Sequence, residues 1–114
     1  MAHGVAQGSG TTARVSYSRY YPATINDPDA VKFVRSVAST PPLNLRLADV
    51  APSLAAEDFS FMLREVRGCY IWLGAGKSGE NPGIHSPRYD FNDEALPIGV
   101  ALWASLVRRS LHSA

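Results

Sequence analysis

Residues 69–94 read CYIWLGAGKSGENPGIHSPRYDFNDE, and their order sets the expectation for the whole chain. Residues 69–73 are continuously apolar, as a strand covered on both faces would be. A glycine-rich stretch from 74 to 83 follows, then one histidine, His85, ahead of Ser86 and Pro87. An aromatic and acidic turn then leads into the last helix. In α/β sheets, ligands bind in the loops at the carboxyl ends of strands. His85 is therefore the group whose chemistry has to be decided.

Upstream of this stretch, ARVSYSRYY at 13–21 alternates Val15, Tyr17 and Arg19 against Arg14, Ser16, Ser18 and Tyr20, which predicts a strand with one drier face. After Pro22, Asn26 or Asp27 can cap a helix that Pro28 opens, with Asp29 in its first turn. Ala30, Val31, Val34, Val37 and Ala38 make its apolar stripe to about Ser39, and Pro41 and Pro42 stop it. LNLRLADV at 43–50 alternates again and predicts a short strand. AAEDFSFMLREV then predicts a helix, with Phe59, Met62, Leu63 and Val66 on one face and Gly68 as its stop.

Downstream, Asn92 or Asp93 begins the final helix, with Asp93 and Glu94 at its positive end and Arg108 and Arg109 near its negative end. Leu96, Val100, Trp103, Val107 and Leu111 are expected to form its buried stripe, and Pro97 falls near the first turn, where it costs least. Alternating strands and helices predict an α/β layered fold. Residues 1–12, rich in Gly, Ala, Ser and Thr, read as a flexible lead-in. The strand at 13–21 has no partner before it, and a lone strand cannot hold itself folded. Sequence missing upstream is the expectation.

At 114 residues the chain suits one small domain, and its 46% hydrophobic content allows a core. A formal charge of +1 gives no electrostatic case for nucleic acid or an anionic membrane surface. No segment reaches the about 20 apolar residues of a membrane span, and the N-terminus carries no signal-peptide core. A soluble, cytoplasmic protein is expected. Cys69 is the single cysteine, which excludes an internal disulfide framework and a cysteine-based zinc cage. Its apolar surroundings favour a structural thiol over a nucleophile.

Three constellations bear on chemistry. GAGKS suggests a phosphate loop, but the position that needs the first glycine is Ile71, and the residues after Ser78 cannot open a phosphate-holding helix. Glu57 and Asp58 are adjacent carboxylates, and helix neighbours diverge by about 100°, so they cannot jointly grip one ion. Dipole complementation and capping outweigh a site role on spacing alone. His85 is framed by Asn81-Pro82-Gly83 before and Pro87 after, rigid punctuation that suits a side chain whose direction matters. Metal ligation and acid–base work are both open to it, yet a metal site takes three or four ligands, and His3 and His112 lie in the chain's loose ends. On the residues alone a hydrogen-bonded structural histidine is favoured.

The ordered combination of A-E-D-F-S at 56–60, R-G-C-Y-I-W-L-G at 67–74, H-S-P-R-Y-D-F-N-D at 85–93 and A-L-P-I-G at 95–99 resembles the C-terminal part of metal-dependent amidohydrolases. That group includes hippurate hydrolases, N-acyl-amino-acid deacylases and auxin-conjugate hydrolases. YYPATIND, at 20–27, is similar to the segment where such chains return from a lid domain to the catalytic domain.

The resemblance, covering 13–112, implies an α/β catalytic domain with two divalent metal ions, interrupted by a lid that mediates dimerisation. It implies hydrolysis of N-acyl amino acids by metal-activated water, with a glutamate general base upstream of this chain. It makes His85 the last metal ligand, Glu57 and Asp58 site support, and Gly74 and Gly76 part of the substrate floor. Zinc, manganese, cobalt or nickel would suit the imidazole about equally. On this reading 13–20 is a remnant of the lid and 21–114 closes the catalytic domain, roughly the last third of such an enzyme and inactive alone. A non-catalytic binding or oligomerisation module is the alternative.

Overall fold

The computed structural model describes residues 1–77, 79 and 82–112. Ser78, Glu80 and Asn81, part of the expected glycine loop and of the turn before His85, lie outside the described residues. Among the described residues four helices follow in order: α1 (Ala2–Gly8), α2 (Pro28–Ala38), α3 (Phe59–Glu65) and α4 (Ala95–Leu111). None is long and apolar enough to cross a membrane.

The local signals at α2 act as their chemistry dictates. Asp27 is the N-cap, its Oδ1 accepting from the Asp29 and Ala30 amides at 3.0 Å each, and Pro28 opens the helix. After Ala38 the chain turns through Pro41 and Pro42, with Asn44 in the left-handed region (φ 45) that asparagine tolerates. The Leu45 amide then bonds back to the Ala38 carbonyl at 2.8 Å. That return lays Leu43 and Leu45 against the core.

The core is the contact of α2 with α4. Val37 and Ala38 meet Leu102 and Leu106, and Phe33, Val34, Leu43, Leu45 and Ile71 pack around them. Leu73 lies over α4 as well: a Cβ on Gly99 would come within 3.3 Å of its Cδ2. Residues 71–73 are thereby fastened across α4, which fixes where the following loop departs.

Several expectations are corrected. Among the described residues there is no strand, so 13–21, 43–50 and 69–73 are irregular backbone. The alternation at 13–21 and 43–50 and the apolar run at 69–73 are present, but a strand exists only against a neighbouring strand, and none is found among the described residues. The apolar stripe expected to be buried on α4 is exposed: Leu96, Val100, Trp103, Val107 and Leu111 all face solvent, Trp103 at 63% of its full exposure. At about 100° per residue, apolar side chains cover about 200° of this helix from Leu102 round to Ala104. α2 covers only the part bearing Leu102 and Leu106.

On α3, Phe59 and Leu63 are partly buried while Met62 and Val66 are exposed, and the helix ends at Glu65, before Gly68. The lead-in at 1–12 holds a helix that apolar periodicity does not announce. α1 buries nothing and closes on Gly10 (φ 65), whose amide bonds to the Gln7 carbonyl while the Thr11 amide reaches the Ala6 carbonyl.

The surface is large for the chain's mass. Accessible area is 9980 Å², against about 6,100 Å² for a folded monomer of this mass. The radius of gyration is 20.5 Å, where a compact domain of this length has about 13 Å.

Candidate functional site

His85 lies in a loop whose neck is tied twice. Lys77 Nζ pairs with Asp90 Oδ2 at 2.6 Å, and Asn92 Nδ2 donates to the Gly76 carbonyl at 3.3 Å. The Asn92 Oδ1 also accepts from the Glu94 amide at 3.2 Å, and the Ala95 amide bonds to the Asn92 carbonyl at 3.0 Å, joining the neck to the start of α4. The ammonium of Lys77 holds the Asp90 carboxyl below the usual carboxylate range.

Inside the loop, two consecutive turns share Ser86. Its amide donates to the Gly83 carbonyl at 2.8 Å, which places Ile84 and His85 at the centre of the first turn. Its carbonyl accepts from the Tyr89 amide at 3.0 Å, with Pro87 and Arg88 central to the second turn. The Ser86 hydroxyl adds a bond from the Arg88 amide at 3.1 Å. The turn through Pro87 follows His85 as expected, whereas the turn expected at Asn81-Pro82-Gly83 lies partly outside the described residues and the turn from Gly83 to Ser86 holds His85 itself; His85 is exposed to solvent. Tyr89 and Phe91 stack edge to face below it in the chain, with centroids 5.2 Å apart.

Glu57 and Asp58 lie elsewhere, at the start of α3. Glu57 Oε1 accepts from the Phe59 amide at 3.0 Å, and the Ser60 hydroxyl donates to the Glu57 carbonyl at 2.6 Å. The Phe59 amide, and after it the Tyr70 hydroxyl, draw the Glu57 carboxyl below its ordinary value; the same bond raises the Tyr70 phenol. Asp58 is the N-cap by position, but its side chain makes no cap bond. Capping thus falls to Glu57, the capping reading of this pair. Gly74 and Gly76 are exposed, and Gly76 serves the neck through its carbonyl. Burial, then the charge of Asp27, pushes the Cys69 thiol up, which disfavours a thiolate nucleophile.

A second cluster has no counterpart in the sequence reading. Arg67 Nε and Nη2 reach Asp27 Oδ2 and Asp29 Oδ2 at 2.9 and 3.0 Å, and Asn26 pairs through its carboxamide with the Tyr70 backbone. It pins the end of α3 to the start of α2. Pairings across about 40 residues leave no local signal; only the capping role of Asp27 does.

Residues 2–109 match the profile of Peptidase family M20/M25/M40. The chain belongs to this family. Among its curated relatives, an uncharacterized hydrolase y4tI from Sinorhizobium fredii is 30% identical over 84% of this chain and 24% of its own length. An IAA-amino acid hydrolase ILR1-like 4 from Arabidopsis thaliana is 30% identical over 81% of this chain and 21% of its own. An N-acetyldiaminopimelate deacetylase from Oceanobacillus iheyensis is 32% identical over 84% of this chain and 25% of its own. The chain therefore spans about a quarter of the length of these relatives. No solved structure matches it.

Peptidases of the M20/M25/M40 family are generally metal-dependent. Among the described residues, no three His, Cys, Asp or Glu side chains come together to hold an ion. Protein-bound zinc takes three or four protein ligands. His85 supplies one imidazole, and Glu57 is engaged in capping α3. The described residues do not by themselves form a metal centre.

Proposed function

We propose that this chain is a portion of a hydrolase that cleaves the amide bond of an N-acyl amino acid, and that its contribution to the site is the imidazole of His85. The observation that carries the reading is the presentation of His85. Two turns sharing Ser86 fix the backbone around an exposed imidazole in a loop with a tied neck. An exposed side chain held in that way, with no hydrogen bond from its ring among the described residues, suits a donor to a site completed by other polypeptide. Family membership supports the reaction class.

The other donors and the general base belong, on this reading, to sequence corresponding to the rest of the relatives' length. Hydrolysis by the 114-residue chain alone is not expected. On this reading Glu57 and Asp58 remain site support, Glu57 by capping α3 and bonding Tyr70 ahead of the loop, Asp58 by its N-cap position beside it. Gly74 and Gly76 leave the approach to the loop without side-chain bulk.

A graft tests this. Residues 69–94 replace the matching stretch of the Oceanobacillus iheyensis deacetylase, and deacetylation of N-acetyldiaminopimelate and metal content are measured. The expected result is a folded, active chimera that loses at least ~100-fold in kcat on His85→Ala, since one missing donor disrupts the centre. A folded chimera whose activity ignores His85→Ala overturns the proposal.

A further inference from the structure

We propose that the exposed apolar face of α4 is a docking surface for a second copy of this chain, packed antiparallel across a two-fold axis beside Trp103. The proposal does not depend on the reading of His85.

Position along the helix defines the face. At about 100° per residue, Leu96, Val100, Trp103, Ala104, Val107 and Leu111 fall within an arc of about 100°. Leu102 and Leu106, which meet α2, lie outside that arc, so the core contact leaves the face open. Val100, Trp103, Ala104 and Val107 line one open groove together with Arg108.

What selects a second copy is the order of residues along the face. Leu96 and Leu111, Val100 and Val107, and Trp103 and Ala104 stand at equal distances on either side of one point, between Trp103 and Ala104. An antiparallel partner on a two-fold axis through that point sets each residue against its counterpart. Leucine then meets leucine and valine meets valine. The large Trp103 meets the small Ala104 on both sides of the axis, the facing of large on small that lets side chains interdigitate.

Charge and area agree with this occupant. Asp93 and Glu94 stand at the start of α4 and Arg108 in its last turn, so antiparallel packing brings opposite charges and opposite dipole ends alongside. A parallel pair would set like ends together. Leu96, Val100, Trp103, Val107 and Leu111 are between 55% and 73% exposed. They offer on the order of 600 Å² per copy, and two copies clear the about 1,000 Å² that a biological interface needs. An interface at that end of the size range gives a dissociation constant in the micromolar region.

The first test is sedimentation of the 114-residue chain between about 1 and about 500 µM. A monomer–dimer equilibrium without larger species is expected, because a two-fold interface closes on itself. Val100→Asp and Val107→Lys each enter the dimer twice and should each weaken it by at least ~100-fold. Helical ellipticity should hold, since both positions are exposed. Mixed one to one, the two variants should recover most of the dimer. The introduced carboxylate and ammonium then face each other, and the other valine pair is kept.

The second test fixes the register. In an equal mixture of 13C-labelled and unlabelled wild-type chain, isotope-filtered NOEs should join Val100 to Val107 and Leu96 to Leu111. Within one α4 these pairs are about 10 Å and about 22 Å apart, too far for such a signal. NOEs joining Leu96 to Leu96 would mean a parallel pair and overturn the proposal. A chain that stays monomeric, or that grows into larger species with no dimer, overturns it too and leaves the groove to another polypeptide. So does a dimer that both single variants leave intact. If either variant loses helical signal, the NOEs of the wild-type chain decide.

Discussion

The carboxamide of Asn26 does for Tyr70 what a neighbouring strand would do. It accepts from the Tyr70 amide at 2.8 Å and donates to the Tyr70 carbonyl at 2.9 Å. The Asp27 amide extends the pairing to the Gly68 carbonyl at 2.9 Å. One side chain thus satisfies both backbone groups of a residue that a sheet would otherwise hold.

Replacing Asn26 tests that role. Aspartate at this position can accept from the Tyr70 amide but cannot donate to the carbonyl at neutral pH, and alanine does neither. Asn26→Asp and Asn26→Ala are each expected to destabilise the chain by about 1–2 kcal/mol, from one or two lost part-buried hydrogen bonds. Denaturant unfolding gives the number. Two variants indistinguishable from wild type would show that water replaces the carboxamide at no cost.

Acid should loosen the α2–α3 junction. Arg67 above all, then the Ala30 amide, hold the Asp27 carboxyl below its ordinary 3.8. A carboxyl lowered in the folded state contributes stability that is present above its unfolded value and is lost as pH falls through the folded one. Glu57, lowered by the Phe59 amide and then by Tyr70, and Asp90, lowered by Lys77, act in the same direction. Helical ellipticity should therefore fall below about pH 4. Asp27→Asn should flatten the profile; a profile that the substitution leaves unaltered would rule out Asp27 as the acid-sensitive group.

How much of this was legible depended on distance along the chain. Asp27, Pro28 and Asp29 announced α2 because a cap, a fixed φ and a dipole partner all act within one turn. The turn after His85 is legible for the same reason, through Pro87. The strands expected at 13–21 and 43–50 rest on alternation and the one at 69–73 on a continuous apolar run, and either pattern describes a face without supplying a neighbour to pair with. The buried face of α4 was misread because its apolar arc is wide, and only contact with α2 selects Leu102 and Leu106. Lys77 with Asp90, and Asn26 with Tyr70, could not be read at all, since nothing in a sequence states which distant polar groups meet.

Metal binding by the chain alone should be weak. One imidazole without two further ligands makes no structural or catalytic zinc site. Calorimetric titration of the 114-residue chain with zinc or cobalt is expected to show no tight pair of sites. His85→Ala should leave the unfolding midpoint unchanged, because the imidazole is exposed and fills no cavity. Two tight sites abolished by His85→Ala would contradict the donor count.

The two faces of α4 should respond oppositely to substitution. Leu106 is 7% exposed and packs on Val37 and Ala38, so Leu106→Ala opens a cavity and should cost about 2–3 kcal/mol, near the low end for a core this shallow. Val100, Trp103 and Val107 line an open apolar groove on the other side with Ala104 and Arg108. A patch of that kind on a small chain drives association with whatever apolar surface is at hand, including further copies. Trp103→Ser with Val107→Ser should therefore leave stability close to wild type while shifting sedimentation toward the monomer. If the double substitution unfolds the chain instead, the groove is part of the core and the burial of α4 has been assigned to the wrong side. If it changes neither stability nor association, the groove is inert and the large accessible area has to be covered through the other exposed aromatics, Tyr17, Tyr20, Trp72 and Phe91 among them.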